Sequence, residues 1–250
     1  LLARQIAEHA DRLLFVPPRL ERCFLGWLPE AIREQTRQRC RIFPMGIDAV
    51  PPPDGSRRRC RQRLGLDRFT VVSLGRLVPV KGTRDAIRAL HHREDLQLVV
   101  AGDGPERPEL QRLAARLRAP VRFTGVLTGG RKSELLRAAD AFLSTSRVLA
   151  SGRTEGMPTA LLEALAYGLP AVATDVGAIG SYLEHERSAL LVPARNPAAL
   201  RAAVNRLQVE PALRRSLGRQ GRELAERFTW PRLAPRLDEL LVTVQRGVAV

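Results

Sequence analysis

The 250-residue sequence is poor in several residue types that mark particular classes of protein. It has only three cysteines, Cys23, Cys40 and Cys60, and this odd number without a CxxC pair argues against both a disulfide framework and a zinc site. Aromatic residues make up 4% of the chain, so a stacking platform for single-stranded nucleic acid is poorly supported. No apolar run approaches the roughly 20 residues that span a bilayer, and no secretory signal pattern is present. These absences predict a soluble, cytoplasmic protein.

Lysine is also scarce, although the chain is strongly basic. Lysine and arginine total 41 and the net charge is +15, yet Lys81 and Lys132 are the only lysines. A solvated arginine-rich surface is the plainer interpretation. The alternative is attraction to an anion such as a diphosphate, a phospholipid headgroup or nucleic acid, so peripheral contact with the inner membrane face stays open. Nucleic acid is not an expected partner, because no basic tract is interleaved with Phe or Tyr.

Short β-branched or Leu/Val-rich runs alternate with amphipathic helical stretches, which predicts parallel strands joined by crossover helices. Several runs are continuously apolar, as expected when helices cover both faces of a sheet. The sequence therefore predicts an α/β fold with a doubly wound, Rossmann-like parallel sheet. The predicted strands are 13–16, 41–44, 70–75, 97–102, 121–125, 141–144, 171–174 and 189–192. Helical patterns lie near 82–91, 106–118, 131–138, 158–168 and 197–208, and a helical tail follows from about 211.

A proline-rich stretch at residues 49–56 predicts a domain boundary, because it cannot continue a helix or a central strand. Residues 1–48 before it hold roughly one helix–strand–helix–strand unit, which is too little to fold alone. Residues 57–228 are predicted to form one doubly wound domain. Residues 229–250 are predicted to form a terminal helix that its two prolines break.

Two predicted strands end in glycine-containing loops. Gly75 ends one strand, and Arg76 and Lys81 flank the loop that follows, where two cations at the crevice of a parallel sheet suit a diphosphate. On these residues alone, ordinary surface charges are an equally good interpretation. Gly102 and Gly104 follow the next strand and allow either a tight turn or close approach of a ligand to the backbone. They make only a weak dinucleotide fingerprint, and the sequence has no P-loop motif.

The segment 155–163 carries the strongest signal. Pro158 fits the first turn of a helix, whose free N–H groups and partial positive charge suit a phosphate. Glu155 lies in the loop just before this helix and Glu163 lies inside it. An ionised carboxylate is only an acceptor, so Glu163 could accept both hydroxyl protons of a ribose. The plainer alternative is a capping acid followed by a solvated helix acid.

The ordered series of these motifs resembles glycosyltransferase family 4, a family of retaining, GT-B-type sugar transferases. The motifs are GR…KG at 75–82, GDG at 102–104, EGMPTALLE at 155–163 and GLPAVATDVG at 168–177. RIFPMGID and ERFTW are similar to the stretches with which that family enters and leaves its C-terminal domain. The resemblance implies that the chain is chiefly the donor-binding half of a GT-B fold. Residues 1–48 would be a remnant of the N-terminal acceptor domain, and the last helix would cross back to that domain.

The resemblance also implies roles for individual residues. Arg76 and Lys81 would neutralise the departing diphosphate, Glu155 would lie by the donor sugar, and Glu163 would hold the ribose. The base pocket would be lined by residues 123–126. The implied donor-binding positions, besides Glu163, are Gly75, Gly102, Gly104, Thr124, Gly125, Met157, Pro158 and Thr159.

The implied reaction is transfer of a hexosyl group from a UDP- or GDP-sugar to a carbohydrate or lipid-linked acceptor, as in polysaccharide biosynthesis. No permanently bound cofactor and no metal are expected, since the sequence has no DxD motif. The rest of the N-terminal domain is an expected partner, whether it belongs to a longer form of this chain or to a separate polypeptide. A sugar-nucleotide epimerase or a phosphorylase is the alternative enzyme, although neither lysine fits a pyridoxal-phosphate site. The alternatives outside enzymes are a module that only binds a nucleotide sugar for a partner subunit and an inactive half that lacks the acceptor domain.

Overall fold

The computed structural model of the protein describes residues 2–49 and 56–245, with side chains described as far as residue 242. Most of the predicted linker, at residues 50–55, lies outside the described residues. The chain divides into two compact units, a small unit of Leu1–Asp48 with Arg227–Val250 and a large unit of Ala49–Glu226. Among the described helices, none combines the length and the apolar character needed to cross a membrane.

The small unit contains two three-residue parallel strands, β1 (Leu13–Phe15) and β2 (Cys40–Ile42). Helix α1 (Leu2–His9) precedes β1, and helices α2 (Pro18–Gly26) and α3 (Glu30–Arg39) lie between β1 and β2. The prediction of a single helix between the two strands is wrong, because Pro29 disfavours helical geometry at Leu28 and so separates α2 from α3.

The core of the small unit is formed by apolar side chains from its helices and β2. Ala7, Phe24, Leu25, Leu28 and Cys40 are buried together. Burial raises the pKa of the Cys40 thiol, because a thiolate is disfavoured away from water. This thiol therefore contributes to packing as a small apolar group.

The large unit is built on one parallel sheet of six strands. These are β3 (Phe69–Leu74), β4 (Leu96–Ala101), β5 (Val121–Gly125), β6 (Ala141–Ser144), β7 (Ala171–Thr174) and β8 (Leu190–Val192). Every residue of β6 and β7 is buried, as expected for strands covered by helices on both faces. The predicted α/β class with a doubly wound parallel sheet is confirmed.

Helices of the large unit alternate with these strands. They are α4 (Arg57–Leu64), α5 (Thr83–Ala89), α6 (Arg107–Arg116), α7 (Gly129–Ala138), α8 (Thr159–Ala166), α9 (Ile179–Tyr182), α10 (Pro197–Val209) and α11 (Pro211–Glu226). A single 3₁₀ turn, Pro79–Lys81, precedes α5. Apolar side chains from strands and helices, including Val71, Leu110 and Leu143, meet in a continuous core.

The order of strands across the sheet is β5-β4-β3-β6-β7-β8. Strands β4 and β5 therefore follow on one side of β3, and strands β7 and β8 follow on the opposite side, beyond β6. Where the order of a parallel sheet reverses in this way, the loops after the two central strands diverge and leave a crevice at their carboxyl ends. The carboxyl ends of β3 and β6 thus mark the expected position of a ligand site.

The last helix differs from its prediction. Residues Trp230–Gln245 form one helix, α12, which contains Pro235. The prediction that Pro231 and Pro235 break this helix is wrong. Pro231 lies in the first turn, where its missing N–H has no helical partner, and Pro235 costs a single backbone hydrogen bond. The chain re-enters the small unit just before α12, where Ile47 and Thr229 form a β-bridge.

Candidate active site

A crevice opens at the carboxyl ends of β3 and β6. Three predicted site residues of the loop after β3 line it, namely Gly75, Arg76 and Lys81. The opposite wall is formed by the end of β6 through Ser146 and by the start of α8, including the predicted residue Pro158. The structure therefore brings together motifs that are about 80 residues apart in the sequence.

Glu155 and Lys81 meet at this crevice. The Lys81 Nζ lies 2.7 Å from Glu155 Oε1, and the two side chains are 22% and 16% exposed. The Ser146 hydroxyl donates to the other carboxylate oxygen, Oε2, at 2.7 Å. Both oxygens of Glu155 are thus held by donors, which fixes its orientation. Ser146 was not predicted, because only the tertiary fold brings this serine to the loop that carries Glu155.

Backbone contacts fix the turn that carries Lys81. The Thr145 hydroxyl donates to the carbonyl of Lys81 at 2.9 Å, and the Arg147 N–H donates to the carbonyl of Val80 at 2.8 Å. Gly82 ends the turn with φ of +63°, and a Cβ at this position would lie 1.9 Å from the Thr145 carbonyl oxygen. Only glycine therefore permits this close approach without a shift of the backbone.

A buried ion pair joins α5 to the stretch that follows β6. Both guanidinium contacts of Arg147 go to Asp85, with Nε 2.7 Å from Oδ2 and Nη2 in contact with Oδ1. The Asp85 side chain is 3% exposed and that of Arg147 is 18% exposed. A two-point pair of this kind has a defined geometry as well as a favourable charge interaction. Sequence reasoning missed it, since an acid in the first turn of α5 reads as an ordinary helix-terminal charge.

Glu163 has a different partner. Its Oε2 lies 2.9 Å from the Nζ of Lys132 on α7, and the side chains are 25% and 32% exposed. The sequence offered one signal for this contact, because Lys132 is one of only two lysines in a chain with 41 basic residues. Without the structure, nothing connected α7 with α8.

The predicted glycines at 102 and 104 pack against the loop after β3. Gly102 has φ of +150°, and a Cβ there would lie 1.9 Å from the carbonyl oxygen of Gly75. A Cβ at Gly104 would lie 2.5 Å from the carbonyl oxygen of Leu77. These glycines are thus explained by close packing of two loops, and their contact with a ligand remains a prediction.

Asp103, between these glycines, accepts hydrogen bonds from the Gly104 N–H at 2.7 Å and from Arg107 at 2.9 Å. These two bonds hold the pKa of Asp103 below its usual range, the backbone bond having the larger effect. Asp103 is therefore ionised at neutral pH and braces the loop. Thr124 and Gly125 lie at the end of β5 beside this loop, and Gly125 accepts a hydrogen bond from the Gly102 N–H at 2.7 Å.

The start of α8 contains the other predicted positions. Met157 is 4% exposed, Pro158 precedes the first helical residue, and Thr159 is the first residue of α8 and is exposed. The helix therefore begins at the crevice, where its first N–H groups lack helical acceptors. Such a terminus can hold an anionic group through N–H bonds and the helix dipole.

Comparisons with known proteins identify the family of the chain. A family model described as "Glycosyl transferases group 1" matches residues 56–224, more than half of the chain. LpsD of Rhizobium meliloti, a lipopolysaccharide core biosynthesis glycosyltransferase, is 36% identical over 186 residues, which cover 73% of this chain and 51% of LpsD. A GDP-mannose-dependent alpha-(1-6)-phosphatidylinositol monomannoside mannosyltransferase of Mycolicibacterium smegmatis is 34% identical over 253 aligned positions, covering 95% of this chain and 64% of that enzyme.

A solved structure of HepE from Anabaena, in complex with UDP and glucose, is similar to this chain with a TM-score of 0.83. The identity is 20%, and the match covers 97% of this chain and 66% of HepE. This likeness concerns the fold. The chain spans 51% and 64% of the lengths of the two curated relatives.

Proposed function

The chain belongs to the group 1 glycosyltransferases, and from this premise we propose that it is a donor-binding part of a retaining, family 4 hexosyltransferase. It binds a nucleoside-diphosphate sugar and supports transfer of the hexosyl group to a carbohydrate or lipid-linked acceptor. The observation that carries the proposal is the contact of Lys81 with Glu155 in a crevice that Arg76 also lines. A carboxylate and two cations there provide groups for both the sugar and the diphosphate.

The diphosphate is proposed to bind between the loop after β3 and the start of α8. Arg76 and Lys81 supply positive charge on one wall of the crevice, and the N–H groups at the start of α8 face it from the other. Charge that develops on the departing diphosphate is stabilised by these fixed donors. A metal ion is therefore not required in the proposed reaction, since the clamp supplies the positive charge itself.

Glu155 is proposed to act at the donor sugar. Its two oxygens are held by Lys81 and Ser146, so the carboxylate reaches the site already oriented. When the diphosphate binds, Lys81 can share its three N–H donors between the carboxylate and a phosphate oxygen. Glu155 then lies at the junction of the diphosphate and the sugar, where it can accept hydrogen bonds from sugar hydroxyls.

The nucleoside is proposed to lie toward β5 and the inner part of α8. Glu163 accepts the ribose hydroxyls, and backbone groups of residues 123–126 contact the base. Gly75, Gly102 and Gly104 keep the loops between these two regions close together. Support for the donor class comes from the relatives: one is named for its dependence on GDP-mannose and one is crystallised with UDP and glucose. A UDP- or GDP-sugar is the proposed donor.

We assign residues 57–228 to the donor-binding domain and residues 1–48 to part of an N-terminal acceptor domain, joined by a linker at 49–56. Helix α12 is assigned to packing on that N-terminal domain, and residues 246–250 of the predicted terminal segment lie outside the described residues. A cytoplasmic location with peripheral contact to the inner membrane face is part of this proposal, and the phosphatidylinositol in the name of one relative supports the membrane contact alone. A module that only binds a nucleotide sugar for a partner subunit is the second candidate, because Arg76, Lys81 and Glu155 are groups for a donor and not for an acceptor.

The proposal is tested by binding and then by turnover. A thermal-shift panel of UDP, GDP, ADP and their sugars identifies the ligand, and calorimetry then compares the wild type with Lys81→Ala and Glu163→Ala. We expect both variants to weaken binding of the nucleotide at least several-fold, while Arg219→Ala and Glu223→Ala, at exposed positions of α11, leave it unchanged. Unchanged nucleotide affinity in both Lys81→Ala and Glu163→Ala would contradict the binding roles proposed for these residues. Donor hydrolysis or transfer, with and without an added N-terminal domain, separates an enzyme from a binding module.

A further inference from the structure

Both lysines of the chain contact a glutamate of the segment 155–163. Among 41 basic residues only Lys81 and Lys132 are lysines. Lys81 pairs with Glu155 at 2.7 Å and Lys132 pairs with Glu163 at 2.9 Å. Lys81 already has a part in the proposed diphosphate clamp, whereas Lys132 does not. A chain that otherwise uses arginine thus has the compact, three-donor ammonium group at both glutamates.

Lys132 lies on the nucleoside side of the proposed site. It is the fourth residue of α7, a helix that begins shortly after the end of β5 at Gly125. From there its ammonium group reaches across to Glu163 on α8. The end of β5 is the proposed base region and Glu163 is the proposed ribose carboxylate. Lys132 therefore lies beside the nucleoside and not beside the diphosphate.

The exposure of this pair suits a ligand-binding role. The side chains of Lys132 and Glu163 are 32% and 25% exposed. They are therefore partly removed from water, which strengthens each hydrogen bond, but they remain accessible. The contact is made at Oε2 of Glu163, and a carboxylate has about four acceptor positions in all. The paired carboxylate can thus keep its contact with the lysine and still accept hydrogen bonds from hydroxyl groups.

A hydroxyl group is both a donor and an acceptor, and the pair offers the complement of each. The hydroxyl can donate a hydrogen bond to the carboxylate while its oxygen accepts a hydrogen bond from an N–H of the ammonium group. An isolated carboxylate satisfies only the first of these two bonds. An ionised pair of opposite charges is therefore better matched to a sugar hydroxyl than Glu163 alone.

We propose that Lys132 and Glu163 together recognise the ribose of the nucleotide. Lys132 donates a hydrogen bond to the oxygen of a ribose hydroxyl, and Glu163 accepts a hydrogen bond from the same hydroxyl. This inference rests on the proposed function, and it assigns to Lys132 a role in selectivity. The site then distinguishes a ribonucleoside from a deoxyribonucleoside through two side chains. A base pocket lined mainly by backbone groups does not need to make that distinction.

The test is calorimetric titration of the protein with UDP and GDP and with their 2′-deoxy and 3′-deoxy counterparts. The variant is Lys132→Met, and the matched control is Arg131→Met, which removes a positive charge from the exposed neighbouring position on α7. We expect the ratio of ribo- to deoxyribonucleotide affinity to fall roughly tenfold in Lys132→Met, as for loss of one charge-assisted hydrogen bond. The same ratio stays at its wild-type value in Arg131→Met, and circular dichroism checks that both variants are folded.

The possible results separate the two proposals. If Lys132→Met weakens the ribo and deoxyribo forms by the same factor, its effect is long-range attraction to the diphosphate and the inference is wrong. An unchanged affinity for all ligands also overturns it, while the proposed function stands as long as Glu163→Ala weakens binding. If the wild type binds neither UDP nor GDP, the proposed function fails and this inference fails with it.

Discussion

Removal of the Asp85 carboxylate provides a quantitative test of how the crevice is held together. In Asp85→Ala the Arg147 side chain, 18% exposed in the wild type, loses the two-point partner that compensates for the burial of its charge. Breaking a buried pair from one side costs roughly 3–5 kcal/mol. Because Arg147 keeps some contact with water, we expect the lower end, about 3 kcal/mol of the free energy of unfolding of the large unit.

Chemical denaturation followed by far-ultraviolet circular dichroism is the assay. Tryptophan fluorescence does not serve, because Trp27 and Trp230 both belong to the small unit. The control is Glu184→Ala, whose pair with Arg187 has side chains 66% and 68% exposed. We expect that control to cost less than about 0.5 kcal/mol.

Replacing both Asp85 and Arg147 distinguishes the cost of an unpaired buried charge from the cost of lost packing. In the double variant Asp85→Leu/Arg147→Met no uncompensated buried charge remains, so it should be more stable than Asp85→Ala alone. A cost below about 1 kcal/mol for Asp85→Ala, similar to that of an exposed pair, would contradict the reasoning. A double variant less stable than Asp85→Ala would show that the cost lies in packing and not in the unpaired charge.

Three further predictions follow from individual residues. Gly82→Ala should cost more stability than Gly65→Ala and also weaken nucleotide binding: both glycines have φ near +60°, but a Cβ at Gly65 meets nothing within 4 Å. Asp95→Asn should destabilise the protein at pH 7 by less than about 1 kcal/mol, and this difference should shrink as the pH falls below about 4. In the native protein a thiol reagent should modify Cys23 quickly and the buried Cys40 slowly, with both reacting in denaturant.

The sign of the Asp95 effect follows from its partners. Two hydrogen bonds from Arg93, and one from Gln208 that has a smaller effect, hold the pKa of Asp95 well below its ordinary value in the folded state. Its stabilising contribution is therefore complete above the pKa of the unfolded chain and is lost as the pH falls toward the folded value. A wild-type minus variant difference that grows on acidification would contradict this. Equal stabilities of the Gly82 and Gly65 variants, or equal labelling of Cys23 and Cys40, would contradict the other two.

The sheet could be predicted closely from the sequence, because strands buried on both faces leave continuous apolar runs. The runs at 141–144 and 171–174 coincide with β6 and β7. Helix boundaries at prolines were less predictable, since the effect of a proline depends on its place in the helix. Pro29 separates two helices, whereas Pro235 lies within α12.

At the candidate site, local motifs indicated Lys81, Glu155 and Glu163 but not their partners. Ser146 and Lys132 contact the two glutamates only because β6 and α7 come next to them in the fold. Contacts between distant segments leave no periodic signal in one sequence. The rarity of lysine was the one local feature that pointed to Lys132.

A crystal structure of the protein with bound UDP or GDP tests the central claim most directly. The account predicts the diphosphate in the crevice at the ends of β3 and β6, with its oxygens within hydrogen-bonding distance of Arg76, Lys81 and the first N–H groups of α8. The ribose is predicted to lie at Glu163. A nucleotide bound elsewhere on the large unit, with Lys81 and Glu155 contacting only each other, would contradict the account.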